Sequence, residues 1–176
     1  MFLLVVVGIV IILVAAILIL ALTKPDNFSV QRTVAIKAPP EKILPLIEDF
    51  HSWASWSPWE NVDPNMKKTY TGAAAGKGAV YEWEGNMAVG KGRMEITEVI
   101  PNSAVTIKLD FEKPMEGHNI AKFSLTPNGD ATTVTWAMHG PANFMSKMMQ
   151  VFMSMDKMIG KQFETGLANL KAVAEK

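Results

Sequence analysis

Three features of this 176-residue chain predict an α+β fold with a membrane-length helix in front of it. The first is an unbroken apolar segment from Met1 to Leu22. The second is a run of short segments, seven in all between Phe28 and Met138, with turn residues between them. The third is an apolar stripe at helical spacing over about 30 residues at the C-terminal end. These divide the chain into a transmembrane helix (1–22), a linker (23–27) and one folded domain (28–176). In that domain an antiparallel sheet of about seven strands precedes a long C-terminal helix.

The first segment, MFLLVVVGIVIILVAAILILAL, has no charge and no proline. About 20 apolar residues cross the hydrocarbon core as a helix, so its length suffices. A cleaved signal peptide would carry a basic start, a shorter apolar run and a small-residue cleavage site. None of these is present, and a retained anchor is expected. Lys24, Arg32, Lys37 and Lys42 all follow the span, which by the positive-inside rule favours a cytoplasmic domain. The chain has no cysteine, so no disulfide framework exists. Its 17 basic residues balance 17 acidic ones, and without a basic excess it is not expected to bind nucleic acid.

Past the polar linker TKPDN, Phe28, Val30, Val34 and Ile36 alternate and predict a half-buried strand. Ala38-Pro39-Pro40-Glu41 ends it and opens a helix, with proline in the first turn and a carboxylate at the positive end. Ile43, Leu44, Leu46 and Ile47 form its apolar side. Strands are then predicted at Lys68–Gly72, Gly78–Gly85, Arg93–Val99, Ala104–Phe111, Asn119–Leu125 and Ala131–Met138. The last two are joined by a Thr126–Asp130 loop rich in turn residues. After Gly140-Pro141, Asn143 is placed to cap a helix running to the end of the chain.

Between the first helix and the second strand stands HSWASWSPWE, with tryptophans at 53, 56 and 59. Trp53 and Trp56 share one broad face of a helical path. Ser57-Pro58 interrupts it, so Trp59 is expected to leave in its own direction. Such rings can fill a core, line a pocket or form a belt at a membrane surface. Arg32 shares a strand face with Val30 and Val34. Burying an unpaired guanidinium is costly, so an exposed Arg32 near the sheet's end is expected, with a carboxylate partner or an anionic ligand as the alternatives.

No catalytic signature is present: there is no Gly-x-Ser-x-Gly elbow and no phosphate loop. His51, His118 and His139 lie far apart without metal-ligand spacing, so neither a metal nor another cofactor is called for. His51 with Glu60 or Asp63 is the one acid/base set that proximity offers.

The element order, with APPEKI at 38–43, DFHSWASWSPWE at 49–60, YEWEGN at 81–86 and TWAMHG at 135–140, resembles the START-like helix-grip superfamily (SRPBCC). More narrowly it resembles bacterial, membrane-anchored proteins described as polyketide cyclase/dehydrase-like. The resemblance implies a curved sheet gripping a long helix, with an apolar cavity between them for lipids, polyketides or similar molecules. Trp56, Trp59, Tyr81, Trp83, Leu109, Trp136 and Met138 are then the expected cavity residues of the sheet side. Met148, Phe152, Met155 and Ile159 are their counterparts on the helix. Six of the chain's 12 methionines fall between Met145 and Met158, an adaptable surface for apolar ligands.

The function expected from this is a hydrophobic-ligand-binding domain anchored in the bacterial inner membrane by a single span. A cyclase or dehydratase is the first alternative. A co-chaperone-like interaction module, presenting tryptophans to a protein partner that the sequence does not identify, is the second.

Overall fold

The computed structural model describes residues 2–176; Met1, the first residue of the predicted span, lies outside them. Helix α1 (Phe2–Leu22) is long and apolar enough to cross a membrane, and almost all of its surface is uncovered. Seven antiparallel strands follow: β1 (Asn27–Ile36), β2 (Lys67–Gly72), β3 (Ala79–Glu84), β4 (Lys91–Ile100), β5 (Ala104–Lys113), β6 (Gly117–Asn128) and β7 (Ala131–Pro141). They are ordered β1-β7-β6-β5-β4-β3-β2, so β2 to β7 pair with their chain neighbours in turn, β1 pairs with β7, and β1 and β2 form the sheet's edges. Helix α2 (Pro40–Glu48) and two single 3₁₀ turns (Ser52–Ser55 and Pro58–Asn61) fill the gap between β1 and β2.

Alternation along the strands separates a filled face from a wet one. Val105, Ile107 and Leu109 of β5, Ala121, Phe123 and Leu125 of β6, and Val134, Trp136 and Met138 of β7 all point inward. Strands β6 and β7 meet in a two-residue turn at Gly129-Asp130, tighter than the expected five-residue loop, with Asn128 opposite Ala131. Gly129 holds φ of 65°, a conformation that glycine adopts without strain. Pro127 is tolerated in β6 because β5 has already ended beside it. Leu125 N–H reaches back to Ser103 O, so the Pro127 nitrogen two residues on faces a side without a partner strand.

The single C-terminal helix expected from the sequence is two helices. Helix α3 (Phe144–Phe152) is capped by Asn143, whose Oδ1 accepts from Ser146 N–H at 2.8 Å. The backbone turns extended at Met153, and α4 (Met155–Ala174) starts afresh under a Ser154 cap. Serine is a strong N-cap, and Asp156 in the first turn of α4 suits the positive helix end. The apolar spacing hides the break, because Phe152 and Met155 are three residues apart and keep the stripe in phase. Of the two, α4 lies against the sheet, chiefly on β1, whereas α3 packs on α1.

Arg32 on β1 takes the carboxylate option rather than the exposed one. Its Nε donates to Glu164 Oε1 at 2.6 Å, and its two terminal nitrogens donate to the Asp156 carboxylate at 2.9 and 3.1 Å. Asp156, Gly160 and Glu164 recur every four residues, so the two acids flank a glycine on one face of α4. The guanidinium lies in that gap, where any Cβ at position 160 would overlap it. The paired acids raise the Arg32 pKa, and Arg32 in turn lowers that of Asp156.

This seat makes the effect of Gly160→Ala depend on its neighbour. With Arg32→Ala as background, the new alanine stabilises the helix by about 1 kcal/mol, its ordinary advantage over glycine. With Arg32 in place that gain is lost, as urea unfolding of the four proteins of the cycle measures. Equal gains in both backgrounds would remove the clamp from the account.

Candidate functional site

The sheet–helix interior is built from the tryptophan segment outward. The last four carbonyls of any helix lack intrahelical partners. In α2, Leu46 O accepts from the Trp56 indole at 2.8 Å, Ile47 O from the Trp53 indole at 2.9 Å, and Glu48 O from Gly76 N–H at 2.9 Å. Trp53 and Trp56 thus cap α2 with their polar edges while burying their rings, and neither is free for a membrane belt. On the far side, Asn169 of α4 donates to Trp56 O at 3.1 Å, tying the turn to the gripping helix.

At the centre, the Trp136 ring stacks on Phe163 of α4, with centroids 4.1 Å apart and planes 7° from parallel. Its other stacked neighbour is Phe123, at 4.7 Å. Trp53, Trp56 and Trp59 meet it edge-on at 6.2, 5.7 and 5.6 Å. Such pairs add about 0.5–1.5 kcal/mol each beyond the area they bury. Gly166 brings α4 close enough: a Cβ there would stand 2.8 Å from the Trp136 ring and 3.0 Å from Pro58. The chain's own aromatic rings occupy the interior where an apolar cavity is expected. Among them Trp59 is only half-buried, on the turn at the rim. Trp136 is buried, and its indole N–H has no acceptor among the described residues.

The predicted residues separate into three groups. Trp56, Tyr81, Trp83, Leu109, Trp136 and Met138 are buried in this one core, with Trp59 and Ile159 partly buried against it. Met155 lines an open groove of about 320 Å³ between the start of β1 (Asn27–Val30), the linker residues Lys24 and Pro25, and the α3–α4 junction. Met148 and Phe152 sit on α3, away from the sheet, and Phe152 is 69% exposed. The continuous stripe places them with the core only when it is read as a single helix.

The ionisable groups form a separate cluster beside the rim. Tyr81 O–H donates to Glu60 Oε1 at 3.1 Å, and the other Glu60 oxygen pairs with Lys68. Tyr70 stacks on Tyr81 at 5.1 Å and on His51 at 4.1 Å. His51 bonds Asp49 at 3.0 Å rather than Glu60. Asp63 accepts from the backbone N–H groups of Asn65 and Asn86 and braces their loops, so the acid/base set read from proximity is divided among three tasks. Sequence spacing carried no sign of the Glu60–Tyr81 pair, because β2 and β3 bring it together across 21 residues. Among the described residues no group of three His, Cys, Asp or Glu is arranged to hold a metal ion.

Two predictions follow from the packing and the cluster. Gly166→Ala is expected to destabilise by about 1–3 kcal/mol through overpacking, despite the better helix propensity of alanine. Denaturant titration measures it, and a stabilised variant would mean the stack has room. Tyr70 and Tyr81 are the chain's only tyrosines, and burial first, then the Glu60 charge, raises both. Since an unfolded tyrosine titrates near 10, their neutral forms stabilise the fold fully below about pH 10, and this is lost as pH climbs toward the folded values. Phenolate absorbance from the buried Tyr81 is therefore expected to appear only together with loss of the folded circular dichroism, whereas the half-buried Tyr70 ionises above its ordinary range. Two tyrosines ionising normally in the native protein would contradict the burial of Tyr81.

The comparisons agree with this architecture. A family model described as polyketide cyclase / dehydrase and lipid transport matches residues 27–175. No curated protein matches the chain. Among solved structures, a protein from Thermobifida fusca superimposes with a TM-score of 0.62 at 18% identity, covering 83% of this chain and 92% of that one. The Aha1 dimer from Colwellia psychrerythraea gives 0.58 at 21%, covering 84% and 96%. A Chromobacterium violaceum protein gives 0.59 at 16%, covering 87% and 99%. At such identities these three share the fold alone, whereas the family model spans nearly the whole chain after α1. The chain belongs to the polyketide cyclase/dehydrase and lipid transport family.

Proposed function

We propose that this protein is a membrane-tethered binding domain for a small, flat, hydrophobic molecule taken up between the sheet and α4. The observation that carries the reading is the buried Trp136 indole N–H without an acceptor, in an interior whose rim ring, Trp59, is half-buried. An unmet buried donor costs about 1–3 kcal/mol, and a ligand carbonyl would remove that cost. Trp59 is the ring to be displaced: its turn begins at Pro58, and it contacts the interior through Trp136 and Phe163 edges alone among the ring pairs. The family description, polyketide cyclase / dehydrase and lipid transport, supports the same ligand class. Helix α1 would hold the domain at the bilayer, with residues 23–27 as tether and 28–176 as the binding domain.

The reading predicts a preference for ketones. Fluorenone is expected to quench the protein's tryptophan fluorescence at concentrations up to about tenfold lower than fluorene, its hydrocarbon analogue, which is the worth of one hydrogen bond. Trp136→Phe should erase the preference while retaining fluorene binding, and Trp59→Ala should speed the uptake of both. If neither compound binds the folded protein, the binding reading is wrong.

A cyclase or dehydratase reading has one observation in its favour, the Tyr81–Glu60 hydrogen bond beside the rim. It requires turnover of a reactive chain that Tyr81→Phe abolishes without weakening ligand binding. The co-chaperone-like reading has less support, because Trp53 and Trp56 are buried in the core and present no tryptophan patch to a partner.

A further inference from the structure

Outside α1, the large apolar side chains left exposed are three scattered ones (Val62, Met87, Ile100) and one concentrated group. That group is Phe144, Met145, Phe152 and Met153 on α3 and its end, with Met158 just beyond. Helix α3 has no buried residue. Phe144, Met148 and Phe152 recur every four residues on one side, while Ser146, Lys147 and Gln150 share the other, so the helix is strongly amphipathic.

The place of α3 identifies what covers this face. It packs on α1, where Ile17 and Ala21, one turn apart, are shielded near the C-terminal end and Ala21 is fully buried. Asp26, just past α1, locks the arrangement: its carbonyl accepts from Ala142 N–H at 2.7 Å, and its carboxylate pairs with Lys147 on α3. Helix α3 is therefore held beside the last two turns of α1, on the order of 10 Å of helix at 1.5 Å per residue. In a spanning helix those turns lie at the boundary between acyl chains and headgroups. An amphipathic helix at such a boundary buries its apolar face by about 5–10 Å.

We propose that α3 is an interfacial helix whose Phe144, Met145, Met148 and Phe152 face inserts into the leaflet from which α1 emerges. This rests on α1 being a membrane span. It fixes the domain against the bilayer at a second point and sets the groove between β1 and the α3–α4 junction at the membrane surface, where a lipid-derived molecule is at hand.

The chain has no cysteine, so single labelling sites can be placed freely. An environment-sensitive fluorophore is attached to the full-length protein at Val10→Cys, Met145→Cys, Phe152→Cys or Asp130→Cys. The last lies at the β6–β7 turn, the far end of the sheet. Each protein is reconstituted into vesicles of phosphatidylethanolamine and phosphatidylglycerol containing acyl-chain nitroxide lipids. Quenching at Met145 and Phe152 is expected to come within about twofold of that at Val10, with none at Asp130. If Val10 is quenched and the two α3 sites are not, the insertion is wrong and the span stands. A blue-shifted but unquenched label at Phe152 overturns it too, since a protein surface, such as a second copy, then covers the face. An unquenched Val10 removes the span itself, and the proposal with it.

Discussion

The stack of Trp136 on Phe163 is the contact on which the rest of this molecule depends. A curved sheet has one concave apolar face, and something must cover it before the strands are stable. Here the cover is α4, and the ring of β7 meeting the ring of α4 sets their separation. Gly166 permits it by offering no side chain where Trp136 and Pro58 press against the helix. The three tryptophans of the 3₁₀ turns then close around the same ring, and two of them also finish the C-terminal end of α2. One aromatic cluster therefore fixes the sheet, both helices and the connection between them.

Helix α4 is seated at three heights along its length. Near its start the Arg32 guanidinium lies across Gly160 between two carboxylates, in the middle Gly166 receives Trp136, and further on Asn169 holds the tryptophan turn. The two glycines do different work: one accommodates a cation, the other a ring. Aromatic rings therefore occupy the interior between the sheet and α4, and the half-buried Trp59 stands at its rim. Under the proposed binding function, uptake would be a matter of displacing Trp59. Its cost is the loss of the Trp59 edge contacts, and its compensation is the apolar area of the ligand together with an acceptor for a stranded indole donor.

The resemblance to solved structures reaches across proteins as differently named as an Aha1 dimer and bacterial proteins known by locus alone. A fold shared at such low identity carries no activity with it. In this chain an apolar helix stands in front of the fold, and the amphipathic α3 packs on it. That pairing turns one end of the sheet, where β1 begins and β7 ends, toward α1.

Much of the architecture was legible in the sequence because it rests on local periodicity. Alternation revealed all seven strands to within a few residues, and the apolar face of α2 and the stripe of α4 carried the helical period. The α3–α4 break was not legible, since Ser154 interrupts the backbone without disturbing the phase of the stripe. Met148 and Phe152 therefore share the stripe's phase but lie on α3. The fates of Arg32 and of Glu60 were also hidden, because their partners are 132 and 21 residues away and meet only through strand pairing and helix docking. HSWASWSPWE by itself determined that three large rings would sit at a helix-breaking turn. Only the tertiary structure decided that Trp53 and Trp56 cap a helix inside the core while Trp59 stays at the rim, because burial and the supply of free carbonyls depend on what the rest of the chain brings to that place.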